Sequence, residues 1–198
     1  MLVLMKDWEA AYANGETPWD KGRAAPPLVD FLRKRPIAGK VIVPGCGTGH
    51  DVRLLARQGA TVVGVDIAQG ALRKAQAFSS VSDERYELAD FLNLPDEFKG
   101  QFDWVFEHTC LCAIEPGQRE AYAKSVGASL KSRGHFLAIF FREVSDYDGY
   151  GPPHPIAANE IEALFSESFE RVESFVPKDS YPGRSYGCEE VVLFRKRA

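Results

Sequence analysis

Apolar residues recur along this chain in two alternating rhythms. Residues 41–44 and 61–66 are short, nearly continuous apolar runs rich in valine and isoleucine. Residues 50–58 and 69–78 instead place Val52, Leu55 and Ala56, then Ala71, Leu72, Ala75 and Phe78, at helical spacing. Runs of the first kind predict strands buried on both faces, and stretches of the second predict helices packed on them. The alternation continues with strands at 85–89, 102–107 and 134–141, a helix at 115–130 opened by Pro116, and a turn at 132–134. Upstream, helices are expected at 7–14, where Asp7 caps and Asn14-Gly15 stops, and at 28–35 after Pro26-Pro27. Downstream, helix 158–166 precedes strands 169–176 and 190–195, which can pair as a long hairpin.

This order predicts an α/β fold: a Rossmann-like, seven-stranded, mostly parallel sheet with helices on both faces and the last strand antiparallel. No repeat or linker interrupts it, so residues 1–198 read as one domain, with 1–36 a helical cap over the site. Two stretches break the rhythm. Residues 142–155 and 177–187 are Gly/Pro/Tyr loops without periodicity, carrying Tyr147, Tyr150, Pro152, Pro153, Tyr181, Arg184 and Tyr186. Long loops inside a compact domain tend to be functional, and the aromatics argue against disorder.

The richest chemistry lies between the first predicted strand and helix. Pro44-Gly45-Cys46-Gly47-Thr48-Gly49 is a glycine turn leading from strand to helix, where backbone N–H groups and the helix terminus face a ligand. Asp66, followed by Ile67, ends the second strand about twenty residues later, where an acid can take both hydroxyls of a ribose.

Composition narrows the partners. Apolar residues make up 45% of the chain, charged residues 26%, and the formal net charge is −4. With no basic run, nucleic acid is excluded as a partner. No apolar stretch approaches the roughly 20 residues that span a bilayer, and the apolar run at 1–5 is too short for a signal peptide. A cytoplasmic protein without membrane contact, a monomer or weak homodimer, is expected. Cys46, Cys110, Cys112 and Cys188 form no disulfide framework, and His108-Thr109-Cys110-Leu111-Cys112 lacks a second ligand pair, so no metal is expected.

Two cofactors use such a turn and acid. The spacing Gly-Cys-Gly-Thr-Gly departs from the Gly-x-Gly-x-x-Gly of dinucleotide sites. Asp90-Phe91 after the third strand suits an adenine, and the two-strand ending suits a methyltransferase sheet. S-adenosyl-L-methionine is therefore preferred over NAD. A non-catalytic S-adenosylmethionine-binding module and an NAD-type oxidoreductase remain the alternatives; a nucleic-acid methylase lacks its Asn/Asp-Pro-Pro-aromatic loop after strand four.

The segments 43–51, 65–66, 89–91 and 102–106, with Trp19-Asp20-x-Gly22, Cys112-Ala113-Ile114-Glu115-Pro116-x-x-Arg119 and Gly151-Pro152-Pro153, resemble the thiopurine S-methyltransferase family over nearly the whole chain. The last of these is similar to the plant-type thiol and halide branch. The resemblance implies methyl transfer to a small soft nucleophile: a thiol above all, or thiocyanate, halide or thiopurine. As in that family, Val43 replaces the acid that holds the methionine amino group elsewhere, leaving backbone carbonyls near Gly45 and Glu107, or the Trp19 segment, to do so.

His108, at the end of strand four, is the candidate catalytic and acceptor-binding residue, as a proton relay or an anion contact; the family has Arg or Tyr there. Trp19 is expected over the sulfonium, Arg119 near a carboxylate, and Phe140, Tyr150, Pro153 and Arg184 around the acceptor. Each has a plainer alternative: a structural histidine, a core anchor for Trp19, helix surface for Arg119, surface charge for Arg184, loop packing for the aromatics, and helix or turn caps for Asp66 and Asp90.

Overall fold

The computed structural model describes residues 6–145 and 147–198. The apolar run at 1–5 and Asp146 of the late loop lie outside it. The elements are α1 (Trp8–Asn14), α2 (Pro26–Lys34), β1 (Lys40–Pro44), α3 (His50–Arg57), β2 (Thr61–Asp66), α4 (Gln69–Gln76), β3 (Glu84–Leu88), β4 (Phe102–His108), α5 (Arg119–Ser129), β5 (Leu130–Phe141), α6 (Ala158–Phe165), β6 (Phe169–Phe175) and β7 (Glu189–Lys196). The strands form one sheet in the order β3-β2-β1-β4-β5-β7-β6. Neighbours among β1 to β5 are parallel, and β7 runs antiparallel between β5 and β6.

The apolar runs are continuous because the sheet is covered on both faces. Along β1, Ile42 joins one cluster and Val41 and Val43 the other. Along β5, Phe136, Ala138 and Phe140 take the first face, and Leu137 and Ile139 the second. That is the two-residue period of a strand, with both faces apolar. Phe136, Phe165, Phe169 and Phe194 are nearly fully buried, and Phe136 stacks on Phe194 at 5.7 Å. Each such ring contributes roughly 2–3 kcal/mol, and together they fix α6 and the closing hairpin against β5.

The turn expected at 132–134 is absorbed into β5. That strand already pairs at Leu130 with Phe102, then advances to His135 while β4 advances only to Trp104. The extra residues bulge out, with Arg133 at φ +60. The helix expected at 115–130 begins as a single 3-10 turn, Pro116–Gln118, before α5.

Strand order reverses between β1 and β4: β2 and β3 extend the sheet to one side of β1, and β4 and β5 extend it to the other. A crevice opens there at the carboxyl ends of parallel strands. Gly45, Asp66 and His108 all stand at that edge.

Candidate active site

The glycine turn is shaped by positive φ angles, +55 at Gly45 and +54 at Gly47. A Cβ on Gly45 would sit 2.8 Å from Cys110 Sγ, and one on Gly47 3.0 Å from the Tyr12 hydroxyl. The turn is tied to β2 by Cys46 N–H donating to Val65 O at 3.0 Å. Asp66 Oδ2 accepts from Gly47 N at 2.9 Å, and Oδ1 from Ala68 N at 2.9 Å. Burial nevertheless holds this carboxyl above its ordinary value.

Around the turn lies a cavity of about 590 Å³. At one end are Ala89, Asp90 and Phe91. Asp90 accepts from Leu92 N at 2.8 Å and from Asn93 Nδ2 at 2.6 Å, capping a short 3-10 turn. Ile67 stands half-exposed on the wall, at 55%. The N-terminal segment forms the cover: Trp19 Nε1 donates to the Tyr12 hydroxyl at 3.1 Å, and Trp8 meets Trp19 edge-on at 5.2 Å. Lys6 Nζ lies 4.4 Å from the centre of the Trp19 ring, so this ring already holds a cation.

This end suits a nucleoside carrying an amino acid. The glycines leave room that any side chain would fill, carboxylates stand at both edges, and an aromatic pair tolerates a cation. Gly45, Cys46, Gly47, Asp66, Ile67, Asp90, Phe91 and Trp19 all line it.

The opposite end is built from β4, the late loops and the start of β7. His108 is 8% exposed. Its Nδ1 lies 3.2 Å from Asp51 Oδ2, and its Nε2 lies 3.2 Å from Arg184 Nη1 and 3.8 Å from Glu189 Oε1. Asp51 sits in the first turn of α3, with Oδ1 fixed by Ala25 N–H at 2.7 Å. Tyr181 stacks on the imidazole at 5.7 Å and donates its hydroxyl proton to Arg23 O at 2.7 Å. Arg184 pairs with Glu189 and lies 4.6 Å from the Phe141 ring and 5.0 Å from the Tyr181 ring. Cys110, Cys112, Pro152 and Pro153 complete the wall. Burial pushes the Cys112 thiol up to about 12 and raises Cys110 as well, so neither is a ready nucleophile.

Several expected site residues lie elsewhere. The Glu107 side chain turns into the core, where Oε1 accepts from Cys110 N at 3.0 Å and Leu111 N at 2.8 Å, and Oε2 accepts from the Tyr122 hydroxyl. Arg119 is buried beside α6, donating to Glu160 Oε1 at 2.7 Å and to the carbonyls of His154 and Pro155, so it braces the late loop and does not line this cavity. Phe140 belongs to the core face of β5; its neighbour Phe141 faces the cavity. Tyr150 is 66% exposed and outside the cavity wall. Pro44 is buried beneath the turn, and Gly49 caps α3 at φ +76 against the Tyr86 ring.

Lys6, Tyr12, Asp51 and Glu189 were missing from the expected site, whereas Tyr181 was among the late-loop aromatics expected near it. Asp51 and Glu189 gave no sequence signal beyond a helix start and a strand start. Among the described residues no helix is long and apolar enough to cross a membrane.

The family model for thiopurine S-methyltransferase matches residues 3–185. Thiocyanate methyltransferase 1 of Brassica oleracea is 38% identical over 161 residues, covering 78% of this chain and 69% of the relative. A probable thiol methyltransferase 2 of Arabidopsis thaliana is 32% identical over 197 residues, covering 96% and 84%. Among solved structures, the 1,6-didemethyltoxoflavin-N1-methyltransferase of Burkholderia thailandensis, with its substrate and S-adenosylhomocysteine, shares the fold at a TM-score of 0.76 and 21% identity, covering 99% of this chain and 88% of that one.

Proposed function

This chain belongs to the thiopurine S-methyltransferase family and is an S-adenosylmethionine-dependent methyltransferase; on that premise we propose that its acceptor is a small soft sulfur nucleophile, a thiol foremost, with thiocyanate and halide as proton-free members of the same class. When bound, S-adenosylmethionine supplies an electrophilic methyl on a sulfonium, whose carbon–sulfur electron pair leaves with a neutral thioether.

The nucleoside end is assigned to Gly45, Gly47, Asp66, Asp90 and Phe91, and the cover to Tyr12 and Trp19. The acceptor end is assigned to His108, Phe141, Pro153, Tyr181 and Arg184. One observation carries the choice of acceptor. Among the described residues only Nη1 of Arg184 hydrogen-bonds to protein, so Nε and Nη2 remain for an anion beside two aromatic faces. A soft anion is weakly hydrated and suits such an apolar wall, and holding it in line with the donor provides most of the rate. A thiopurine would have to share the space with Tyr181 and the paired prolines, which favours the smaller acceptors. The four cysteines are unpaired, which supports a reducing, cytoplasmic setting.

Replacing Arg184 with glutamine is expected to raise KM for thiocyanate about 10- to 100-fold, the worth of a charge-assisted hydrogen bond. Steady-state kinetics with saturating S-adenosylmethionine checks this, and the variant's affinity for S-adenosylhomocysteine reports an intact fold. An unchanged KM would remove Arg184 from the acceptor site.

A further inference from the structure

The contacts of His108 fix its tautomer. Arg184 can only donate, so His108 Nε2, 3.2 Å from Nη1, must accept. The single ring proton then lies on Nδ1 and is donated to Asp51 Oδ2 at 3.2 Å. Asp51 cannot swing away, because Ala25 N–H holds its other oxygen at 2.7 Å. The ring is also held by Tyr181 stacked upon it. The result is an unprotonated nitrogen on the cavity wall, backed by a fixed carboxylate, beside a guanidinium that can be exchanged for another donor.

We propose that Asp51 is a positioning residue that makes His108 Nε2 the proton acceptor for protonated thiols. The inference rests on the thiol reading above. An entering thiol takes the place of Arg184 on Nε2. Its S–H bond breaks, the electron pair stays on sulfur, and the proton bonds to Nε2. The imidazolium so formed lies between Asp51 and Glu189, whose Oε1 is 3.8 Å from Nε2. The thiolate lies beside Arg184, ready for methyl transfer. On product release Nε2 returns the proton to solvent. Thiocyanate and iodide carry no proton and need none of this, so one residue separates two classes of acceptor in the same pocket. The groups facing the imidazole are Asp51 from α3, Tyr181 and Arg184 from the loop before β7, and Glu189 from β7, and the buried Glu107 carboxylate of its own strand lies within electrostatic reach.

Asp51→Asn tests this with the full chain, S-adenosylmethionine, and either a small cysteine-like thiol of pKa about 8.5 or thiocyanate. The asparagine oxygen can still accept from Ala25, while its amide donates to Nδ1 and moves the ring proton to Nε2, where it can accept nothing. At pH 7 the thiol kcat/KM should fall about 100-fold, and the ratio of thiocyanate to thiol activity should rise about tenfold or more. The thiol defect should narrow as pH passes the thiol's own pKa, where solution supplies the thiolate. Asp51→Glu should recover part of the loss. Equal losses on both acceptors at every pH would overturn the proposal, as would a wild-type enzyme that methylates thiocyanate but no thiol. A wild type that methylates neither would overturn the acceptor reading itself. If the Asn variant does not fold, His108→Gln measured in the same way should give the same acceptor and pH split, and failure to do so overturns the proposal.

Discussion

Gly45→Val is expected to abolish measurable binding of S-adenosylhomocysteine, with a loss of at least about 100-fold. Gly45 has φ +55, where an L-residue costs roughly 1–2 kcal/mol and a β-branched one more. The added Cβ would also lie 2.8 Å from Cys110 Sγ and 2.9 Å from Cys110 Cβ. Neither end of this contact is a flexible tip. The turn must shift, and with it the Gly47 N–H that Asp66 holds at 2.9 Å. Misplacement by about 1 Å can cost 100-fold at a site that works by alignment. Gly59→Val separates strain from site. Gly59 has φ +94, but a Cβ there meets nothing within 4 Å, and it ends α3 away from the cavity. Calorimetry should show that this control loses stability while keeping far more of its cofactor affinity. Equal binding losses in the two variants would contradict a cradle at Gly45.

Glu107→Ala is expected to destabilise the fold by about 3–5 kcal/mol, because it strands buried donors. Cys110 N, Leu111 N and the Tyr122 hydroxyl all point at this carboxylate, which is 1% exposed. Glu107→Gln keeps an oxygen for the two backbone donors and should cost much less. The pH dependence separates the two forms of the group. Burial raises the folded carboxyl above its ordinary value of 4.5, despite the donors and the nearby His108. Its favourable contribution is therefore fully present below that ordinary value, and is lost as pH rises through the folded one. Denaturant unfolding should show the Gln variant gaining relative to wild type as pH is raised from about 4.5 toward neutrality. A gap that closes in the opposite direction would show that the carboxylate is stabilised as an anion.

The first two strands and the helix between them were legible because β-branched runs and glycine turns coincide at 40–66. The glycine turn and Asp66 were legible for the same reason: chemistry and local structure are written in one contiguous stretch. The acceptor end is assembled from chain positions far apart, Asp51, His108, Arg184 and Glu189, and no local pattern joins them. Phe140 and Phe141 show a second limit. Strand alternation puts them on opposite faces, but both faces of this sheet are apolar, so periodicity does not say which one meets the cavity. Arg119 shows a third. The buried side of α5 includes Arg119, Ser125 and Ser129, so its polar residues read as surface although they face inward. Its partners on the late loop and α6 exist only in the folded chain.

The most direct test is product identification by mass spectrometry after incubating the protein and S-adenosylmethionine with a small alkyl thiol, thiocyanate, iodide, a thiopurine, and amine and hydroxyl acceptors of similar size. S-methylated thiol is expected as the main product, with methyl thiocyanate and methyl iodide also formed and no amine or hydroxyl product. Methylation of the amine or hydroxyl acceptor, with none on sulfur, would contradict the account.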